Sequence, residues 1–81
     1  MNDEQLRDLQ NRVESDPTAY ASQFELGVEL LRRGRARDAI VHLCVAQGHS
    51  VHRLDARRAL SDAFESLGLR DLAEKYRQHD D

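Results

Sequence analysis

Residues 26–39 read LGVELLRRGRARDA, and residues 60–73 read LSDAFESLGLRDLA. When the chain is displaced by 34 residues, the two stretches match at four spaced positions. The matching pairs are Leu26 with Leu60, Leu30 with Phe64, Gly34 with Gly68 and Ala39 with Ala73. Helical periodicity alone would not keep two segments in one register over this length. The chain therefore contains an internal repeat, which is the sequence signature of a repeat architecture.

The composition indicates one small, helix-rich domain of 81 residues. Apolar residues make up 40% and charged residues 33%, and β-branched residues are sparse, so an all-α fold is predicted. The net charge of −3 favours neither nucleic acid nor an anionic membrane as a partner. The uncharged stretch 39–51 is far shorter than the ~20 apolar residues that span a bilayer, and the first residues do not read as a secretory signal. With its single cysteine, Cys44, these features predict a cytoplasmic protein.

Turn residues predict the bounds of the first two helices. The first lies within residues 1–15, where apolar residues occupy one narrow face. Asp16 is expected to cap the second helix, with Pro17 in its first turn. This helix is predicted to end near Arg33, before Gly34.

Three more helices are predicted in the second half. One runs from about Ala36 to Gln47 and ends at Gly48 in a left-handed conformation. The next is capped by Ser50 and ends before Gly68. The last spans about Leu69–Gln78.

The distribution of apolar residues predicts which helices are central. The segment Ala39–Ala46 is apolar nearly all round, which predicts a helix covered on several sides, with Cys44 buried and unreactive. The first and last helices carry narrow apolar stripes and many charges, as the two ends of a solenoid do. The pattern favours a complete small protein with capped ends.

The repeated segments resemble the tetratricopeptide repeat family. The first copy reads Gln23-x-x-Leu26-Gly27-x-x-Leu30 and then Ala39-x-x-x-Leu43, and the second reads Arg57-x-x-Leu60-Ser61-x-x-Phe64 and then Ala73-x-x-x-Arg77. The resemblance implies two and a half helix hairpins, about five antiparallel helices in a short right-handed solenoid. Its parts would be a half-repeat (1–17), a first repeat (20–53) and a second repeat with the terminal helix (54–81). The chain departs from the pattern in lacking tryptophan, in Val51 at the closing proline and in Arg77 at a bulky apolar position.

Small residues explain how the paired helices approach each other. Gly27 is expected to meet Ala39, and Ser61 to meet Ala73, where two antiparallel helices cross closely. The second copy is also similar to the repeat tail of some bacterial thioredoxin-like chaperones. That likeness implies a role in escorting client proteins, without redox activity, because the chain has no Cys-x-x-Cys.

The resemblance implies a concave groove lined by the first helix of each hairpin, which receives a peptide or a partner helix. By register, the groove residues are Ala21, Phe24, Val28, Leu31, Asp55, Arg58, Asp62 and Glu65. The alternative is that Phe24, Val28 and Leu31 are core residues covered by the N-terminal helix.

Arginine and histidine residues suggest two further kinds of site. The candidate anionic contact consists of Arg32, Arg33, Arg35, Arg37, Arg57 and their neighbours Arg53 and Arg58. Nearby acidic residues favour a salt-bridged surface there. The histidines His42, His49 and His52 have no metal-binding spacing and are interpreted as scattered surface residues, with no metal and no cofactor expected.

No enzyme motif is present in the sequence, so a non-catalytic protein is predicted. The preferred hypothesis is a protein–protein interaction module, an adaptor or a chaperone-like protein. The alternatives are a self-associating structural protein, such as a homodimer, and a binder of an anionic partner, either nucleic acid or an acidic protein.

Overall fold

The structure, a computed structural model, describes residues 1–77 and consists of five helices in that range. They are α1 (Asp3–Ser15), α2 (Tyr20–Arg32), α3 (Ala36–Ala46), α4 (Arg53–Ser66) and α5 (Arg70–Arg77). The all-α class and the order of the five predicted helices are confirmed. The predicted last residue of the final helix, Gln78, lies outside the described residues.

The helices form two hairpins, α2 with α3 and α4 with α5, and these hairpins stack through α3 and α4. In the described part of the chain α1 packs on α2 alone, and α2 also approaches α4. The core runs continuously through these interfaces. It consists of Leu6, Leu9, Val13, Leu26, Leu30, Ala39, Leu43 and Leu60.

Small residues lie where the helices of each hairpin cross, as predicted. A Cβ atom at Gly27 would lie 2.6 Å from Cγ of Leu43 and 3.3 Å from the carbonyl oxygen of Ala39. At the equivalent crossing of the second hairpin, the buried hydroxyl of Ser61 donates a 2.7 Å hydrogen bond to the carbonyl oxygen of Ala73. The first crossing therefore requires glycine, whereas the second has room for a hydroxymethyl group.

Two of the three predicted glycine stops are confirmed. Gly34 has φ = 78° and Gly68 has φ = 77°, a backbone conformation that favours glycine. The prediction for Gly48 was wrong, because its φ is not positive and α3 ends at Gln47 in a right-handed conformation. A Cβ at Gly48 would lie 3.1 Å from the carbonyl oxygen of Val45, so the position is crowded without being left-handed.

Both predicted side-chain caps were wrong. The Oδ1 atom of Asp16 accepts hydrogen bonds from the backbone N–H and the hydroxyl of Thr18, at 3.2 and 2.7 Å. This local turn uses the carboxylate, and α2 starts later, after Ala19, without a side-chain cap. Similarly, α4 starts after His52 and not at Ser50. The cap that does form is at Asn2, which exchanges hydrogen bonds with Gln5 in a capping box.

The expectation that the third helix is covered on several sides was also wrong. The outer face of α3 is open, with Val41 63% exposed and Val45 37% exposed. Cys44 lies on the same face and is exposed. Ala36, Ala39, Leu43 and Ala46 form the buried face. We refer to Val41, Cys44 and Val45 as the outer apolar stripe.

Candidate functional site

The predicted groove residues of α2 are half-buried. Phe24, Val28 and Leu31 each pack against the edge of the core, and Ala21 is exposed. The ring of Phe24 stacks on His52, at the start of α4, with a centroid distance of 5.9 Å. This face of α2 therefore borders the neighbouring parallel helix and keeps part of its apolar surface in contact with solvent.

The N-terminal helix α1 lies on another side of α2. The guanidinium group of Arg33 donates to the carbonyl oxygen of Met1 at 2.6 Å, to Asp3 at 2.8 Å and to Glu29 at 3.0 Å. Glu29 and Leu31 are two residues apart, so they point in directions about 200° apart around the helix axis. α1 therefore packs on the side of α2 away from Leu31.

This ionic contact perturbs both groups. The hydrogen bond from Arg33 lowers the pKa of the Glu29 carboxyl, against the opposing effect of burial. The hydrogen bonds to Asp3 and then to Glu29 raise the pKa of Arg33. Because Arg33 joins the start of α1 to the end of α2, the contact orients α1 antiparallel to α2.

The predicted groove residues of α4 are all exposed. They are Asp55, Arg58, Asp62 and Glu65. Glu65 forms an ion pair with Arg77 at 2.7 Å, whereas the other three form no ion pair within residues 1–77. Asp62, Glu65 and Ser66 line a shallow cleft of about 290 Å³. Within the same range, no hydrogen bond, ion pair or ring contact joins this set directly to the α2 set.

Four ring side chains form a cluster at the end of α2 and α4 where both helices start. The ring centroids of Tyr20 and His49 are 5.2 Å apart, and those of His49 and His52 are 5.5 Å apart. With the contact between His52 and Phe24, the four rings form a continuous row, which we call the ring cluster. His49 is exposed, as interpreted from the sequence, but the interpretation of His49 and His52 as scattered was wrong. The available signal was the spacing of Tyr20 and Phe24, one turn apart on the helix that faces the turn carrying both histidines.

Sequence reasoning also missed a polar contact inside the first hairpin. The buried amide of Gln23 donates through Nε2 to the carbonyl oxygen of Pro17 at 3.0 Å. Its Oε1 therefore accepts from Nδ1 of His42, 2.7 Å away. Burial lowers the pKa of His42, and Asp38 opposes this effect. The imidazole and the amide together fix the loop before α2 against α3.

The predicted anionic contact contains several arginines that already have partners. Arg33 binds Glu29 and Asp3, and Arg35 binds Asp38 at 2.8 Å. Arg32 lies 3.7 Å from Glu29. Arg57 lies over the ring of Tyr76, 4.9 Å from its centroid, and Arg53 donates to the carbonyl oxygen of Gln47. In residues 1–77 Arg37 forms no ion pair. These contacts compete with any anion for the same guanidinium groups.

Cys44 differs from its prediction in exposure. It belongs to the outer apolar stripe, and partial desolvation raises the pKa of its thiol. A raised pKa lowers the thiolate fraction, so exposure is not accompanied by nucleophilic activation.

Residues 1–77 lack the features that a metal site or a membrane span would require. These residues contain no cluster of three or more His, Cys, Asp or Glu side chains that could hold a metal ion. None of the five helices has both the length and the apolar character that crossing a membrane requires.

Comparison with known families identifies one match. The family model described as tetratricopeptide repeat matches residues 1–79, nearly the whole chain. No curated protein and no solved structure matches the chain.

Proposed function

The chain belongs to the tetratricopeptide repeat family, whose domains mediate protein–protein interaction, and we propose that it binds a segment of a partner protein between α2 and α4. The segment is a peptide or a helix with apolar side chains and a basic anchor. The apolar side chains would contact Phe24, Val28 and Leu31, and the anchor would pair with Asp55 or Asp62. An adaptor or chaperone-like role in the cytoplasm is part of this proposal.

The observation that carries the proposal is the contrast between the two walls of the site. The α2 wall exposes part of an apolar surface beside the ring cluster. The α4 wall exposes carboxylates that have no ion-pair partner within residues 1–77. Amphipathic segments bind surfaces that combine apolar anchoring positions with charge, because the apolar contacts supply affinity and the charges select the partner.

The test is affinity capture from the protein's own cell lysate with matched variants. Val28→Glu places a charge on the α2 wall, and Val41→Glu makes the same change on the outer apolar stripe. The expected result is a protein captured by the wild type and Val41→Glu and lost with Val28→Glu. Asp62→Lys reverses the charge of an exposed residue of the α4 wall and leaves the core unchanged. Loss of capture by this variant therefore reports loss of binding and not loss of folding. Equal capture by all four proteins would refute the groove.

A second candidate function is self-association, favoured by the outer apolar stripe of α3. A dimer that buries Val41 and Val45 would melt at a temperature that rises with protein concentration, because mass action favours the associated state. Val41→Glu should abolish this dependence. A melting temperature that is constant over a hundredfold range of concentration would exclude the second candidate.

A further inference from the structure

The two repeats form equivalent clefts at the turns between their helices. The first, which we call the inner cleft, is lined by residues 34–38 together with Leu67, and has a volume of about 290 Å³. The second, the terminal cleft, is lined by residues 68–72, and has a volume of about 430 Å³. Each lining residue of the terminal cleft lies 34 positions after a lining residue of the inner cleft. Within residues 1–77, no residue lines the terminal cleft in the way that Leu67 lines the inner cleft.

Leu67 shows which kind of side chain packs beside the turn between the two helices of a repeat. It follows the last residue of α4, which packs on the first hairpin through α3, and it is half-buried against residues 34–38. The inner cleft is thus bounded on one side by a leucine that directly follows the next stacked helix. The same position beside the terminal cleft is empty in the described part of the chain.

The two clefts differ in the polarity of the residues that line them, and this difference favours binding of an apolar side chain in the terminal cleft. The inner cleft contains the ion pair between Arg35 and Asp38, at 2.8 Å. The corresponding residues of the terminal cleft are Leu69 and Leu72, which are 45% and 39% exposed. The other exposed residues of α5 are all charged: Arg70, Asp71, Glu74, Lys75 and Arg77. Apolar residues therefore occur at this end of the stack where a neighbouring side chain would insert, and charged residues occur around them.

From this equivalence we infer that the terminal cleft is a second protein-binding site, which takes a partner helix with a leucine in its last turn. The partner helix lies beside α4 and α5, as α4 lies beside the first hairpin. Its leucine contacts Leu69 and Leu72 as Leu67 contacts the inner cleft. Its remaining surface is polar, because the charged residues Arg70 and Asp71 line the cleft beside the two leucines.

A partner of a different sequence suits the cleft better than a second copy of the chain. Leu31 and Leu67 are the leucines nearest the C-terminal ends of α2 and α4, and both are half-buried in the chain's own packing. A folded second copy therefore has no free leucine of this kind to insert. The site is also separate from the groove between α2 and α4, so the two proposals can fail independently.

The test uses two libraries of 14-residue helical peptides selected against the full-length protein. Both libraries end with the sequence Ser-Leu-Gly of residues 66–68, where α4 ends, and vary the other positions among Ala, Glu, Gln, Lys and Arg. The second library replaces the leucine by serine. Binders are expected from the leucine library alone, because burial of one leucine side chain is worth about tenfold or more in affinity.

Protein variants then locate the selected peptides. Leu72→Asp and Leu69→Asp, each at an exposed position, should weaken binding by about tenfold or more. Val41→Asp, the same kind of change on the outer apolar stripe, and Val28→Glu, in the groove, should leave it within about twofold. Circular dichroism and thermal unfolding of each variant verify the fold.

Three outcomes would overturn the inference. One is equal yield from the two libraries. Another is binding that is insensitive to both Leu69→Asp and Leu72→Asp. The third is dimerisation of the free protein that Leu72→Asp abolishes, which would assign the cleft to a second copy.

Discussion

The two hairpins, α2–α3 and α4–α5, have the same backbone plan and different surroundings. In the first hairpin Leu43 is fully buried, and its side chain occupies the space that a Cβ at Gly27 would need. In the second, the equivalent of Leu43 is Arg77, which turns outward to Glu65. Ser61 then fits where Gly27 is required. The identity of one residue at a helix crossing therefore depends on whether its neighbour is buried or faces solvent.

A second pair of equivalent positions is joined by different chemistry in each hairpin. Gln23 and His42 form a 2.7 Å hydrogen bond in the first hairpin. Their counterparts, Arg57 and Tyr76, form a cation–π contact with a 4.9 Å separation. The geometry of the repeat conserves the proximity of the two positions, and the local environment selects the interaction. The first hairpin uses a buried amide and a half-buried imidazole, and the second uses a guanidinium group over a half-buried ring.

The largest difference in the free energy of unfolding between matched variants of the two hairpins is expected for substitutions at Leu43 and Arg77. Leu43→Ala leaves a cavity in the core and should lower the free energy of unfolding by about 2–5 kcal/mol. Arg77→Ala removes only an exposed ion pair, so it should cost at most about 1 kcal/mol. Urea denaturation of both variants measures the difference. Similar losses at the two positions would contradict the distinction between interior and end hairpins.

The second largest difference in the free energy of unfolding is expected for substitutions at the two helix crossings. Gly27→Ala forces Leu43 to move and should cost about 1–3 kcal/mol. Ser61→Ala loses one buried hydrogen bond and should cost about 1 kcal/mol. In the double variant Gly27→Ala with Leu43→Ala, the added methyl group enters the vacated space. Its cost should therefore be less than the sum of the single costs, and strict additivity would contradict the proposed steric conflict.

Substitutions at the paired polar positions, Gln23 in the first hairpin and Arg57 in the second, should show a smaller difference in stability. Gln23→Leu leaves Nδ1 of His42 and the carbonyl oxygen of Pro17 without their partner, which should cost about 1–3 kcal/mol. Arg57→Ala removes a cation–π contact near the surface and should cost about 0.5–1 kcal/mol. Thermal unfolding of the two variants under the same conditions compares these losses of stability. A larger loss at Arg57 than at Gln23 would reverse the assignment of the two environments.

The smallest expected effect is a pH dependence specific to the first hairpin. Burial lowers the pKa of His42, so the folded state favours the neutral imidazole more than the unfolded state does. The corresponding stability is fully present above the unfolded value of about 6.5 and is lost as the pH falls through the lower folded value. His42→Gln should remove this part of the decline, as measured by denaturation between about pH 8 and pH 5. An unchanged pH profile of stability in His42→Gln would contradict the assignment of this decline to His42.

The sequence predicted the features that depend on local backbone geometry and spacing. The repeat placed helix ends at Gly34 and Gly68, where the structure has positive φ, and it placed small residues at both helix crossings. These predictions succeeded because a positive φ or a close approach of two helices restricts the residue type directly.

Predictions that depend on competition between partners failed. Asp16 has a suitable side chain for a helix cap, but two donors of Thr18 are closer to it. The apolar run of α3 predicted coverage on several sides, whereas the described chain supplies neighbours for its inner face only. Hydrophobic periodicity identifies the residues that avoid water and does not count the helices available to cover them. The α4 part of the candidate groove is predicted as one face, and only the structure shows that Glu65 pairs with Arg77 while Asp55 and Asp62 form no ion pair within residues 1–77.

Within residues 1–77, α1 packs on α2 alone and each later helix packs mainly on its predecessor, and this arrangement has a consequence for how the chain folds. Every well-packed pair of helices is adjacent in sequence, apart from the approach of α2 to α4, so the relative contact order is low. Helical proteins with mainly local contacts fold on a timescale of about microseconds to milliseconds. Folding can therefore start at the α2–α3 hairpin and extend in both directions, with α1 joining through its single interface. Stopped-flow or temperature-jump kinetics would detect α1 as the element whose contacts form latest.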